Sequence, residues 1–178
     1  MKGHTHLLIG GAVGIPLAVI IPASAIPSSL PAFAISCALS GVAALLPDID
    51  HERSTISTFL RRNLGGSKHS RGRHRGGTHS FFGTAIAGLL AGLAFHQLDP
   101  PLALPAAVIV ALGYLSHLVA DVISPYPMRW LWPFRRHPIR PRWIPAIPHS
   151  GFEGQLVELA TIGVVLAIFV LAGAHWFA

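Results

Sequence analysis

The chain has 178 residues, enough for one domain, but 52% of it is hydrophobic and only 11% charged, against about 25% charged residues in a soluble domain. With a mean hydropathy of +0.57 it has too little polar surface to cover a water-soluble globule, and the membrane is the natural explanation. The formal charge of +6 and pI near 10.8 raise nucleic acid as a partner, but the basic residues are confined to a few segments, and the one cysteine, Cys37, excludes an intrachain disulfide and a cysteine metal cluster.

Five apolar segments, roughly 7–26, 30–47, 80–97, 102–123 and 156–177, approach or reach the about 20 residues with which a helix crosses a bilayer. They predict an all-α integral membrane bundle occupying residues 1–178 as a single domain, with loops at 48–79 and 124–155. The first segment contains Pro16 and Pro22, so a kinked helix is expected there. Lys2, the apolar run and Ala23-Ser24-Ala25 also resemble a secretory signal with its cleavage site, but the run is longer than a usual signal core, and a retained span is the expectation. Gly10 with Gly14, Ser36 with Ser40, and Gly88 with Gly92 give small-xxx-small spacings that let helices approach closely.

Charge orients the bundle. All 13 Lys and Arg fall in three places: Lys2, the stretch Arg53–Arg75 and the stretch Arg129–Arg142, while the links 27–29 and 98–101 carry none. Alternate connections are therefore basic and neutral, which puts the N-terminus and the loops 48–79 and 124–155 in the cytoplasm and the C-terminus outside. Trp130, Trp132 and Trp143 then fall where amphipathic rings favour lipid headgroups. The basic run itself suits anionic lipid.

With that orientation the inner ends of the spans gather the ionisable residues. His6 precedes the first span, Asp48 and Asp50 close the second, and His74 and His79, joined by a Gly76-Gly77 turn, open the third. His117 and Asp121 are four residues apart near the end of the fourth, hence on one helix face. Glu153 and Glu158 stand at the entrance to the fifth; His4, His149 and these two glutamates are left without an assigned role. The outer ends offer only Asp99, His96 and His175. Ionisable groups in membrane spans are costly and mark function. Nitrogen and oxygen donors without thiolate suit a divalent ion, zinc first, with manganese or iron as alternatives. Seven candidates exceed one tetrahedral set, so either two ions or one ion with outer carboxylates orienting the histidines is expected. Asp48, Asp50 and Asp121 are candidate ligands, bridges or general bases, and Arg73 and Arg75 are candidates to hold a substrate phosphate.

Thr5-His6, Leu46-Pro47-Asp48-Ile49-Asp50, His74-Arg75-Gly76-Gly77-Thr78-His79-Ser80 and Gly113-Tyr114-Leu115-Ser116-His117-x-x-x-Asp121 occur in this order. Together they resemble the bacterial and archaeal membrane-bound metal-dependent hydrolases of the YdjM type, and Pro125-x-x-x-x-Trp130-Leu131-Trp132-Pro133 is similar to the family's closing segment. The resemblance implies a multi-pass inner-membrane hydrolase with His6, Asp48, Asp50, His74, His79, His117 and Asp121 at the matching positions. Where family members often carry Thr-Pro-x-Gly, this chain has Ser124-Pro125-Tyr126-Pro127, so the following loop should differ in shape.

The function expected from this reading is hydrolysis of an ester or phosphoester, with membrane lipid as the favoured substrate and partner because an interfacial site meets headgroups directly. Two other classes compete. A metal-binding or metal-transporting protein would need ligands near the bilayer midplane for transport, and the candidates gather at one end. An interaction protein would use the basic loop to bind nucleic acid or an acidic partner. Oligomeric state is not encoded in any of these features.

Overall fold

The computed structural model describes residues 3–22, 24–26, 29–51, 54–64, 77–144, 146–147 and 151–177. Its helices are α1 (Gly3–Leu17), α2 (Ser29–Ala43), α3 (Thr55–Leu64), α4 (Phe81–Leu98), α5 (Ala103–Ala120) and α6 (Phe152–Phe177). All except α3 belong to segments long and apolar enough to cross a membrane. The protein is an all-α membrane bundle, with no β-strand among the described residues.

Helix α5 is the centre. It packs against α1, α2 and α4, while α1 packs on α2 and α6. Of the α5 span 44% is buried, against 11% of the α4 span and 17% of the α6 span, so α4 and α6 present most of their surface to lipid. In a bilayer, helices associate through close packing rather than through expulsion of water, and small residues allow the approach. That is how α1, α2 and α5 meet. A Cβ on Gly14 would lie 2.5 Å from the carbonyl oxygen of Ser36, and one on Gly10 2.5 Å from the Cβ of Ala44. A Cβ on Gly113 of α5 would run into the Ser40 carbonyl. Ser36 Oγ donates to the Gly14 carbonyl at 2.6 Å, tying the two backbones at their closest point. Gly88 and Gly92 play the same part for α4, with Ala107 and Ala103 of α5 opposite.

Helix ends set the level of the polar residues. The α2 span continues into a 3-10 turn, Leu46–Asp50, with Pro47 near its start, and this turn carries both aspartates. A second 3-10 turn, Gly77–His79, leads into α4. Ser80 is its N-cap: the hydroxyl accepts from the Gly83 N–H at 3.1 Å and donates to the Gly77 carbonyl, satisfying a helix-end donor. The last turn of the fourth span, Asp121–Ile123, is also 3-10, so Asp121 is the residue at which the α-helix tightens.

The structure departs from the sequence reading in three places. The first helix begins at Gly3 rather than at residue 7, and ends in a 3-10 turn at Ala18–Ile20, so His4 and His6 lie within it. The 48–79 stretch holds the helix α3, whose Ser54 hydroxyl accepts from the Ser57 N–H at 3.1 Å. The 124–144 stretch is folded back over the start of α4. Met128 and Ile139 form an antiparallel bridge, Phe81 N–H donates to the Trp130 carbonyl at 2.9 Å, and Trp132 lies against Phe82. The guanidinium of Arg140 donates to the Ser124 and Ile144 carbonyls at 3.2 and 2.8 Å. The turn after Asp121 is closed without glycine, by the Ser124 hydroxyl accepting from the Tyr126 N–H at 3.2 Å.

Candidate metal centre

Five of the residues singled out above meet at one end of the bundle: His6 from α1, Asp48 from the turn after α2, His79 from the turn before α4, and His117 and Asp121 from the end of α5. His6, His79, His117 and Asp121 are buried, while the Asp48 side chain keeps 18% of its surface exposed. His6 Nε2 is 3.5 Å from Asp121 Oδ1, and His79 Nε2 is 3.5 Å from Asp48 Oδ1. His117 Nε2 stands between the carboxylates, 3.7 Å from Asp48 Oδ1 and 3.9 Å from Asp121 Oδ2. The rings of His6 and His117 stack with centroids 3.8 Å apart, and His79 meets His117 edge-on at 5.2 Å.

The tautomer of His117 follows from its other nitrogen. Nδ1 lies 2.8 Å from the Ala44 carbonyl oxygen, which can only accept, so Nδ1 carries the proton. In the neutral ring Nε2 is then a lone pair, buried, without a hydrogen-bond partner, and aimed at two carboxylates. His6 Nδ1 is likewise buried without a partner. The His79 ring is set by a different device. The Thr78 hydroxyl donates to Asp50 Oδ2 at 2.9 Å, so it can only accept from His79 Nδ1, 3.2 Å away. This leaves Nε2 of His79 facing Asp48. Tyr114 donates its phenol proton to the Thr78 carbonyl and so fixes Thr78 from α5.

Lone pairs and carboxylates brought together out of water repel and lose hydration unless something positive lies among them. Separations of 3.5 to 3.9 Å are longer than hydrogen bonds. The two shorter ones fall within the spacing of about 3.3–3.6 Å between two donors that each sit 2.0–2.2 Å from a common tetrahedral ion, and the two longer ones exceed it by about 0.1–0.3 Å. Two groups of three each bring their donor atoms within 4.8 Å of one another, His6 with His117 and Asp121, and Asp48 with His79 and His117. The donor set, all imidazole and carboxylate, fits a divalent ion.

The sequence profile of the YdjM inner membrane protein family matches residues 1–177. The chain belongs to that family. Inner membrane protein YdjM of Escherichia coli (strain K12) is 38% identical over 93 residues, which are 51% of this chain and 45% of that protein; the same figures hold for inner membrane protein YdjM of Shigella flexneri. The match thus spans less than half the length of these curated relatives. No solved structure matches. Family and helices together make the chain a multi-pass inner membrane protein.

In this YdjM-family chain the remaining candidate residues are distributed as follows. Asp50 lies one step outside the five, against Thr78, where it orients a ring instead of facing the cluster. Arg73, His74 and Arg75 lie outside the described residues, as does His149. Glu158 joins His4 in a separate contact: its Oε1 accepts from the Thr5 hydroxyl at 2.7 Å and stands 3.1 Å from His4 Nε2, pinning α6 to the turn that carries His6. Glu153 is exposed in the first turn of α6. Thr78, Tyr114 and Thr5 stand in the motifs quoted above without an assigned role, and the structure places them as neighbours that position the cluster. The adjacency of Thr5 to His6 and of Thr78 to His79 was the available signal.

Proposed function

We propose that this YdjM-family protein is a metal-dependent hydrolase that cleaves an ester or phosphoester of a membrane lipid at the cytoplasmic face. The observation that carries the reading is His117. Its Nδ1 is committed to the Ala44 carbonyl at 2.8 Å, so its buried Nε2 lone pair is directed at Asp48 and Asp121, an arrangement that calls for a cation. An imidazole nitrogen binds one ion, and both donor sets use His117, which favours a single centre over two. Zinc suits the donors best, with manganese and iron as alternatives.

What such an ion supplies is Lewis acidity toward a phosphoryl or carbonyl oxygen and toward water. The chain supplies the rest. His6, His117 and Asp121, all buried, would hold the ion, with the His79 ring edge-on to His117 beside them. Asp48, the most exposed of the five, is the group that an incoming molecule reaches, and its carboxylate is placed to accept a proton. Thr78 and Asp50 keep the His79 ring in the tautomer that leaves its Nε2 as a donor of electrons.

The test is turnover in phospholipid nanodiscs carrying fluorescent ester and phosphoester lipids. Release of product should stop on chelation and return with zinc. Asp48→Asn should retain the metal and lose on the order of 100-fold in kcat, as expected when a proton acceptor is removed. Metal-loaded protein that turns over none of these lipids, or turnover indifferent to both chelation and Asp48→Asn, contradicts the proposal.

A further inference from the structure

A groove of about 700 Å³ lies on the outer face of α4. At the cytoplasmic level its walls are Leu46, Ile49, Thr78 and Trp132, and it descends along Phe82, Ile86, Leu90 and Ala91 of α4 with Val110 of α5 behind. From Phe82 to Ala91 this is about 13 Å of helix at 1.5 Å per residue. The volume falls within the range of about 300–1,000 Å³ typical of ligand clefts.

The surroundings determine what fills it. The α4 span is the least buried of the five, and Phe82, Ile86 and Leu90 are exposed side chains facing the bilayer. At that depth no water is available, and an apolar recess does not hold water in any case. Hydrocarbon is what remains. The upper end is continuous with the candidate centre. Ile49 lies between Asp48 and Asp50 in the chain, the Thr78 hydroxyl bonds Asp50 and touches His79, and Tyr114 bonds the Thr78 carbonyl. A chain lying in this groove therefore brings its polar end to Asp48, the accessible side of the cluster.

A second recess has no such continuity. It measures about 760 Å³ and lies on the opposite face of α5, among α1, α5 and α6. Its two hydroxyls, Ser116 and Thr161, are spent on carbonyls of their own helices, Gly113 and Val157, both at 2.7 Å. Nothing at its wall engages a headgroup.

We propose that the α4 groove binds one acyl chain of a glycerophospholipid and so sets which lipid bond is presented at Asp48. This rests on the hydrolytic reading for its purpose, but its test does not need turnover. Full-length protein in phospholipid nanodiscs is photolabelled with a trace of phosphatidylglycerol bearing a mid-chain diazirine, in parallel with a polyprenyl phosphate probe. Peptide mapping should place the phosphatidylglycerol label chiefly on 81–91 rather than on Leu166 and Leu171, which are as exposed on α6. Ala87→Phe and Ala91→Phe each fill the groove. Either should lower that labelling about tenfold, the equivalent of displacing roughly two methylenes, with melting temperature and metal content unchanged. Labelling that follows exposure alone across α4 and α6, labelling untouched by both phenylalanines, or labelling by the polyprenyl probe only overturns the assignment. Labelling concentrated on 81–91 without turnover of any lipid supports the groove while contradicting the hydrolytic reading.

Discussion

His117 and His79 are aimed by different devices with the same outcome. A backbone carbonyl fixes one ring, and an Asp50–Thr78 pair fixes the other; in both, Nδ1 is engaged and Nε2 faces carboxylate. Groups that orient a metal-binding histidine typically contribute 10–100-fold to metal affinity. Thr78→Val keeps the shape and removes the acceptor, so zinc affinity measured by chelator competition should fall about 10–100-fold, while Thr78→Ser stays near wild type. An unchanged affinity in Thr78→Val contradicts the relay. The sequence allowed His6, Asp48, His79, His117 and Asp121 to be brought together because each lies at the same end of its span, and topology alone sets that level. It did not distinguish Asp50 from Asp48. Two residues apart, they differ only in which way the 3-10 turn points them, and that depends on Thr78, 28 positions further along.

At the scale of elements, glycine and serine determine how near α1, α2 and α5 can lie, and through that how near His6 comes to His117. Gly14→Ala would put a methyl group 2.5 Å from the Ser36 carbonyl oxygen and 2.7 Å from the Cys37 Cα. Backbone cannot yield as a flexible side chain does, so the expected cost is about 1–3 kcal/mol, read as a lower melting temperature in detergent. Gly163→Ala, with nothing within 4 Å of the added carbon, is the matched control and should melt like wild type. Equal melting of the two variants contradicts the close-packing account. Gly10, Gly14, Ser36 and Ser40 are legible as spacings in the sequence itself. Helix α3 is not: Arg61 and Arg62 open the basic run that suits anionic lipid within the 48–79 loop, although Ile56, Phe59 and Leu60 repeat at helical intervals. The fold-back of 124–144 was hidden for another reason. It is held by contacts distant in sequence, Phe81 with Trp130 and Phe82 with Trp132, which no local pattern announces.

For the whole molecule, five spans turn an alternation of basic and neutral connections into an orientation. With Cys37 replaced by Ser, a cysteine at Asp99 should react with a membrane-impermeant maleimide on intact cells, and one at Arg135 only after permeabilisation. The reverse pattern would invert the bundle and move the cluster to the outer face. Orientation matters because it decides which side of the membrane the centre faces, and among the described residues the buried ionisable side chains gather at one end. His96, at the far end of α4, is exposed and lies outside both donor sets.

The central claim is that the cluster built on His6, His117 and Asp121, with His79 and Asp48 beside them, binds a metal ion. Elemental analysis of the detergent-purified protein after exposure to zinc and removal of excess tests it most directly. The account predicts about one ion per chain in the wild type, as a site with a complete ligand set requires. Occupancy should be largely lost in both His117→Ala and Asp121→Ala and unchanged in His96→Ala. A wild type that retains no zinc, manganese or iron, or a His117→Ala protein that binds as much as wild type, contradicts it.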